Sequence, residues 1–254
     1  MMKVSIITVC YNSEKTIGDT CASVLNQSYD NIEYIIIDGA SSDSTVNIIR
    51  KYENKFSSRM KWISEEDNGI YDAMNKGIRM ATGDIVGIIN SDDYYPRNTV
   101  ISEIVNALLE SKAGSVFSDV QFVAPHNEKK IVRYYSSKIF SLKGFQFGIM
   151  PAHGTFFTYK FNYDKYGVYE TDYTIAADFE LLLRFLYVHR IGYYYHPTVS
   201  LVMRTGGIST SSHRSNLVIN REIKRALNKY GISTSIIFLY SKYLIKAFEL
   251  FRKK

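Results

Sequence analysis

The stretch Gly83-Asp84-Ile85-Val86-Gly87-Ile88-Ile89-Asn90-Ser91-Asp92-Asp93-Tyr94-Tyr95-Pro96 decides the architecture. From Ile85 to Ile89 every residue is apolar or glycine, the pattern of a strand buried on both faces of a parallel sheet. It stops at two adjacent carboxylates. In an open α/β sheet, ligands bind in the crevice beyond the carboxyl ends of the strands, which is where Asp92 and Asp93 fall. Neighbouring like charges repel unless a cation or protons compensate them. Mg²⁺ or Mn²⁺ bridging to a diphosphate is one such compensation, because Mg²⁺ takes one or two carboxylates together with substrate phosphates. The other reading is local: Ser91-Asp92-Asp93 caps the helix suggested by Pro96 to Leu109. The stretch alone does not choose between them.

Upstream, three strand–helix pairs lead into it. Val4 to Val9 reads as a first strand, and Asn12 and Ser13 offer N-caps to a helix with Ile17, Cys21, Val24 and Leu25 on its inner stripe. Ile32 to Gly39 is a second strand carrying Asp38 near its end, and the turn-rich Ala40 to Thr45 caps a helix reaching Phe56. Met60 to Ser64 is a short third strand. A helix from Ile70 to Ala81 follows, stopped by Gly83. This β-α-β-α-β-α-β rhythm predicts a mostly parallel, doubly wound sheet flanked by helices.

Downstream the character changes. Ser115 to Val123, Ile131 to Tyr135 and Gly154 to Tyr159 read as strands, with Gly144 to Met150 irregular. A helix spans Asp178 to His189, and two aromatic strands follow at Gly192 to His196 and Val199 to Met203. Arg204 to Ser212 is a Gly/Ser/Thr-rich loop. Two helices, Arg214 to Tyr230 and Thr234 to Arg252, come after it. Without internal repeat or linker, residues 1–233 read as one domain and 234–254 as an amphipathic helix.

The chain has 254 residues, 46% apolar and 22% charged, enough for one large α/β core. Its formal charge of +6 suits an anionic partner: nucleic acid, a nucleotide diphosphate or an anionic membrane. No dense Lys/Arg block precedes Arg252-Lys253-Lys254, which argues against nucleic acid. Cys10 and Cys21 lack metal-ligand spacing and point to a reducing compartment, hence a cytoplasmic setting. Val4 to Cys10 is too short and polar for a signal peptide, and no window approaches 18 uninterrupted apolar residues. Ile236 to Phe251 is mostly apolar but interrupted by Ser241, Lys242, Lys246 and Glu249. With Arg252-Lys253-Lys254 this fits a helix lying peripherally on the inner face of an anionic membrane, or one packed on protein.

Polar residues fall at or near the ends of the first-half strands: Thr8, Asp38, then Asp92 and Asp93. Tyr11 is placed to stack on a base or to half-bury in the core. Asp38 can accept from an imide N–H or cap the following turn. No Gly-x-Gly-x-x-Gly follows the first strand and no Gly-x-x-x-x-Gly-Lys-Ser/Thr occurs, removing the usual signals of dinucleotide enzymes and P-loop NTPases.

At this point the sequence resembles the family-2 glycosyltransferases of the GT-A fold, inverting enzymes that use nucleotide sugars. The matching blocks are Val4-Ser5-Ile6-Ile7-Thr8-Val9-Cys10-Tyr11-Asn12, Val24-Leu25-Asn26-Gln27-Ser28-Tyr29, Ile35 to Thr45, and Glu66-Asp67-Asn68-Gly69-Ile70-Tyr71-Asp72-Ala73-Met74-Asn75-Lys76-Gly77. Asn90-Ser91-Asp92-Asp93 is similar to the family's metal motif. The resemblance spans roughly Val4 to Ser212 and is closest to members that build bacterial surface polysaccharides such as O-antigen and capsule. It implies a Rossmann-like GT-A core with an acceptor-side elaboration and C-terminal helices. It also implies that Thr8, Tyr11 and Asp38 hold the uracil side of a UDP-sugar, with Asn75 and Lys76 near the nucleotide or donor sugar. Asp92 would face the ribose or sugar, and Asp93 the metal, Mn²⁺ or Mg²⁺. In Ala176-Ala177-Asp178-Phe179-Glu180-Leu181-Leu182-Leu183-Arg184, Asp178 matches the catalytic base, while Ala177 stands where the family usually has Glu. His153 resembles a position facing the acceptor pocket, although a structural His fits as well.

The implied activity is metal-dependent hexosyl transfer, with inversion, from a UDP-sugar to a hydroxyl of a lipid-linked glycan or glycolipid. Such a displacement needs charge neutralised on the departing diphosphate and a separate carboxylate to take the acceptor proton. Arg204 and Gly206-Gly207 are placed to close over the diphosphate, or form a plain surface loop. Two competing classes remain. A nucleotidyltransferase making the nucleotide sugar would want a Gly-rich basic loop between Tyr11 and Ile17, which is missing. An inactive glycan-binding module would have no use for Asp92, Asp93 and Asp178 together.

Overall fold

The computed structural model describes residues 1–124, 127–205 and 213–241. Parallel β1 (Val4–Cys10), β2 (Ile32–Asp38), β3 (Met60–Ser64) and β4 (Ile85–Ile88) form one side of an eight-stranded sheet. The sheet runs β3-β2-β1-β4-β7-β5-β6. Here β5 is Ser115–Ala124, β6 is Asn127–Tyr135 and β7 is Phe157–Tyr159. β7 enters antiparallel between β4 and β5. A further strand, β8 (Tyr193–Arg204), pairs parallel with β5. The fold is α/β, with a central, mostly parallel sheet flanked by helices, as the alternation of elements predicts.

Period-two alternation sorts the strand residues between two cores. Ile7, Val9, Ile35, Ile37, Val86 and Ile88 face one layer, containing α3 (Ile70–Met80), α6 (Ala177–Leu182) and α7 (His213–Lys229). Val4, Ile6, Tyr34, Ile36, Ile85 and Ile89 face the other, with α1 (Ile17–Leu25), α2 (Thr45–Phe56) and α4 (Val100–Ser111). Both faces are covered, which is why β4 reads as an unbroken apolar run. Gly87 at its centre admits a close crossing: a Cβ there would lie 2.1 Å from Cε1 of Phe157 on β7.

Several elements differ from the sequence expectation. Asn12 and Ser13 do not cap α1; its N-cap is Thr16. Asn12 instead adopts φ 48° and accepts from the Ser42 amide (2.9 Å), tying the loops after β1 and β2 together. A short helix, α5 (Lys160–Tyr166), was not anticipated. Gly144 lies within a 3₁₀ stretch, Leu142–Phe147. The helix expected from Asp178 to His189 is α6 followed by a wider π-helical turn, Leu183–Val188. At this widening the buried Arg184 pairs with Glu180 (3.0 Å) and donates to the carbonyls of Tyr166 and Val168. The two aromatic strands are one, β8. Pro197, which has no N–H to give, falls where the β5 register shifts between Phe117 and Asp119. The Thr234 to Arg252 helix is helical over 236–241, and 242–254 lie outside the described residues. Among the described residues no helix is long and apolar enough to cross a membrane.

Candidate active site

The loop after β4 carries Asp92 and Asp93 and is fastened on two sides. Thr20 of α1 donates its hydroxyl to the carbonyls of Ser91 (3.0 Å) and Asp93 (2.7 Å). On the other side Tyr94 forms an antiparallel bridge with Val202 of β8, its amide donating to the Val202 carbonyl at 3.1 Å and its carbonyl accepting at 2.9 Å. Arg204, two residues on, donates to the Asp92 carbonyl (2.8 Å) and pairs with Asp19 (2.6 Å). Its guanidinium lies 5.0 Å from the Tyr94 ring centre. β8 thus delivers a cation to the carboxylate pair, and that charge offsets part of the rise that burial imposes on the pKa of both. The rest of the Arg204 loop, residues 206–212, lies outside the described residues.

Asp93 is fully buried, and desolvation followed by repulsion from Asp92 holds its pKa well above the usual carboxylate value. Burial raises Asp92 as well. One Asp93 oxygen takes a long contact from the Asn90 amide (3.4 Å). The other, Oδ1, and Asn90 Oδ1 are buried without a hydrogen-bond partner. Two hard oxygen acceptors left unpaired in one turn fit a divalent cation better than a helix cap, since capping would pair them with amide N–H groups. Among the described residues no cluster of three or more His, Cys, Asp or Glu could hold a metal, so a substrate would have to supply the remaining oxygens.

The residues expected around a nucleobase separate. Tyr11 is 65% exposed at the end of β1. Asp38 is buried and already hydrogen-bonded. Its Oδ1 accepts from Ser41 Oγ (2.5 Å) and Cys10 Sγ (3.5 Å), and its Oδ2 from the Ser41 amide (3.0 Å) and Ser64 Oγ (2.7 Å). Four partners use up the lone pairs of a carboxylate, so Asp38 ties the turn after β2 and has none left for an imide N–H. Thr8 is also turned inward, fully buried, with Tyr34 donating to its hydroxyl at 3.0 Å. The carboxylate that does stand beside Tyr11 is Asp67. A Cβ on Gly39 would meet Asp67 Oδ2 at 2.7 Å and Tyr11 Cδ2 at 3.6 Å, so Gly39 leaves the space in which they gather. Asp67 lies inside the Glu66 to Gly77 block, where its spacing before Gly69 was the available signal.

Asn75 and Lys76 are likewise engaged. Asn75 is buried, donating to the Tyr169 carbonyl (2.8 Å) and accepting from the Tyr169 amide (2.9 Å). Lys76 donates to the Glu66 carbonyl (2.9 Å) and pairs with Glu65 (2.9 Å), whose hydrogen bond raises its pKa, and with Asp72 (3.7 Å).

A second cluster forms around Asp178. It opens α6, and its Oδ1 accepts from the following Phe179 amide at 2.7 Å. A helix N-terminus by itself favours an ionised carboxylate. Burial outweighs the amides and lifts its pKa to about 6, with the nearby Glu222 charge adding to the rise. Tyr71 donates to the Ile175 carbonyl and stacks on Tyr169 (ring centres 5.7 Å apart). His153 Nε2 is 2.5 Å from the Tyr169 hydroxyl, and burial lowers its pKa to about 4, so it is neutral at pH 7. The structure therefore joins His153 to the Asp178 neighbourhood through Tyr169 and Tyr71. Ala177 is buried in the core. Beside this cluster a cavity of about 270 Å³ opens between Asn68–Tyr71 and Thr171–Thr174.

A mostly parallel sheet thus carries paired carboxylates beyond its central strand, and a half-buried carboxylate stands apart on a second element. The sequence profile of glycosyl transferase family 2 matches residues 5–167, and the chain belongs to that family. An uncharacterized glycosyltransferase of Mycobacterium tuberculosis is 36% identical over 184 residues, covering 71% of this chain and 68% of that protein. The poly(ribitol-phosphate) beta-N-acetylglucosaminyltransferase TarS of Staphylococcus aureus is 32% identical over 102 residues, 39% of this chain and 18% of TarS. The structure of TarS 1–349 in complex with UDP-GlcNAc superposes with TM-score 0.68 at 18% identity, covering 94% of this chain and 70% of that one. The mannosyltransferase PcManGT from Pyrobaculum calidifontis, in complex with GDP-Man and Mn²⁺, gives TM-score 0.64 at 20% identity, over 90% of this chain and 64% of that one. In a longer TarS structure this chain spans 40% of the length. These likenesses establish the GT-A fold.

The Asn75 geometry makes a prediction that separates a structural clamp from a donor contact. Asn75→Ala leaves a buried N–H and C=O of Tyr169 unpaired, and stability should fall by about 2–4 kcal/mol in urea unfolding. UDP affinity of the folded protein should stay at the wild-type value in calorimetry; a matching loss of affinity would restore Asn75 to the donor site.

Proposed function

We propose that this glycosyltransferase is an inverting, divalent-metal-dependent hexosyltransferase. In this reading it moves a sugar from a UDP-sugar to a hydroxyl of a lipid-linked surface glycan. The observation that carries the reading is the separation of two carboxylate environments. Asp92 and Asp93 follow the central strand, with unpaired oxygens on Asn90 and Asp93 and a neighbouring Arg204, whereas Asp178 stands apart with a pKa of about 6. A glycan-binding module would not need the second. The UDP and UDP-GlcNAc complexes of TarS support a UDP-sugar donor, and the Mn²⁺ complex of PcManGT supports the metal.

In this reading Tyr11 stacks on the uracil and Asp67, rather than Asp38, accepts from its imide N–H. Asp92 meets the ribose or sugar. Asp93, with Asn90 beside it, would hold Mn²⁺ or Mg²⁺, which supplies charge neutralisation for the departing diphosphate. Arg204 adds a fixed positive charge from β8. Asp178 takes the proton of the acceptor hydroxyl as it attacks the anomeric carbon, and its raised pKa makes it a stronger base than a solvated Asp. The cavity beside Tyr71 offers room for an acceptor sugar, with His153 and Tyr169 as its neutral polar backing. Residues 1–233 form the transferase unit. Ile236, Ile237, Phe238 and Tyr240 keep exposed apolar surface while Leu239 is buried, so 234–254 serves as an interfacial element at the cytoplasmic membrane face.

Asp178→Asn should remain folded and bind UDP while transfer falls roughly 10²–10⁴-fold. Wild-type transfer should fall as pH drops through about 6, because protonation removes the base. Near-normal transfer by a folded Asp178→Asn protein would assign the base elsewhere.

Asp93→Ala should abolish the strengthening of UDP binding by Mn²⁺. Equal UDP affinity of the wild type in Mn²⁺ and in EDTA would remove the metal from the reading.

Deleting 234–254 should release the protein from anionic phosphatidylglycerol-containing vesicles in flotation. Unchanged flotation would place the membrane contact on another surface.

A further inference from the structure

Asp178 owes its position to a segment with little regular structure of its own. Residues Tyr173 to Ala176 approach α6 without strand or long helix, and the N-cap position, Ala176, has no side-chain acceptor to offer. Their amides are nonetheless paired. Glu222, on the inner face of α7, accepts from the Thr174 amide (2.7 Å) through Oε1 and from the Ile175 and Ala176 amides (2.9 Å each) through Oε2. Glu222 is only 9% exposed and has no salt-bridge partner recorded among the described residues, so the backbone N–H groups are what its charge is set against. A carboxylate accepting three backbone amides is a strong, charge-assisted anchor.

The same helix continues along the segment. Arg225 pairs with Asp172 (2.6 Å) and lies 3.8 Å from the Tyr173 ring centre, and Lys229 pairs with Glu170 and with the buried Glu180 (3.4 Å). α7 is thus laced to residues 170–180 by three successive charged side chains, of which Glu222 is the buried one.

We propose that Glu222 is the positioning residue for Asp178: from α7 it gathers the amides of residues 174–176 and fixes the turn from which the Asp178 carboxylate projects. The inference rests on the reading of Asp178 as the base. Glu222 acts in two ways that can be separated. Its reach sets the backbone, and its charge faces Asp178. The other groups near Asp178 are Tyr71 of α3 and Tyr169, both neutral at pH 7, and the Asp178 and Phe179 amides; among the described residues no cation is one of the groups that set its titration.

The test uses the full chain and two variants. Glu222→Gln keeps the shape but removes the charge and turns an N–H₂ toward N–H donors. Transfer should fall by about 10- to 100-fold, and the acidic limb of the kcat/KM–pH profile should move to lower pH. Glu222→Asp keeps the charge and loses one methylene of reach, so transfer should fall while the limb stays in place. UDP affinity with Mn²⁺, measured at the same pH values, should match wild type in both, which keeps any titration of Asp93 out of the comparison. Hydrogen exchange on the unaltered protein reads the contact directly, and the amides of 174–176 should be strongly protected. Free-amide exchange there, or a folded Glu222→Gln protein with wild-type transfer and an unmoved limb, overturns the inference. Failure of the base reading looks different: Asp178→Asn itself would then retain transfer.

Discussion

Two hydrogen bonds from one side chain hold the halves of this enzyme in register. Asn75 projects from α3, in the parallel-stranded half, and closes on both backbone groups of Tyr169, 94 positions further along. A primary amide can mimic a neighbouring strand in this way, offering one donor and one acceptor at the spacing of a peptide. Tyr169 then carries the alignment onward, stacking on Tyr71 and meeting His153. That clamp fixes the start of the loop leading to Asp178 against α3, and the Tyr71 hydroxyl and Glu222 hold the rest of it. The identity of residue 75 is therefore a matter of assembly before it is one of chemistry, and its place in a family motif does not make it a ligand contact.

The sheet was legible because burial on two faces writes itself into the sequence. β1, β2 and β4 are apolar runs bounded by polar turns, and their order follows from the helices between them. The Asp92-Asp93 pair was legible for the same reason, as an abrupt charge at the end of such a run. What was not legible depended on partners distant in sequence. Asp38 looks available in one dimension, but Ser41, Ser64 and Cys10 converge on it in three. Thr8 alternates inward toward Tyr34, a pairing that no strand period assigns to a particular partner. Asp67 was hidden within a recognised block because nothing in the sequence shows that Gly39 opens space for it beside Tyr11. In the second half, Pro197 looks like a strand end, yet β8 passes through it by shifting register, an option that exists only because β5 tolerates the bulge.

Electrostatics accounts for why so many acidic side chains can be buried in a basic protein. Glu33 collects Ser5, Thr82, Gly83 and Lys3 near the start of the parallel strands, and those hydrogen bonds outweigh its desolvation and hold its pKa near 2. Glu180 is fully buried against Arg184, Lys229 and Tyr230. Both are saturated and structural. Asp93 and Asp178 are the contrasting pair: burial raises the pKa of each, and neither has a side-chain cation bonded to it. Carboxylates left in that condition are costly to a fold, and they persist where function recovers the cost.

The two differ in what relieves them, and the difference follows from their surroundings. Asp93 sits beside a second carboxylate, Asp92, with unpaired oxygens at hand, so protonation or a cation shared with a diphosphate are the available remedies. Asp178 has Glu222 as its neighbouring carboxylate, already held by three backbone amides, and its remedy is a single proton. The Asp178 and Phe179 amides pull its titration down, while burial and the Glu222 charge push it up. The outcome near 6 lies below neutral pH and well above the ordinary value of a solvated Asp. A base must be ionised before reaction yet basic enough to take a proton from a hydroxyl, and those demands oppose each other. In the proposed reading of Asp178 as the base, a short helix, flanked by Tyr71 and Tyr169 and backed by Glu222 on α7, meets both at once. A long exposed helix terminus would satisfy only the first.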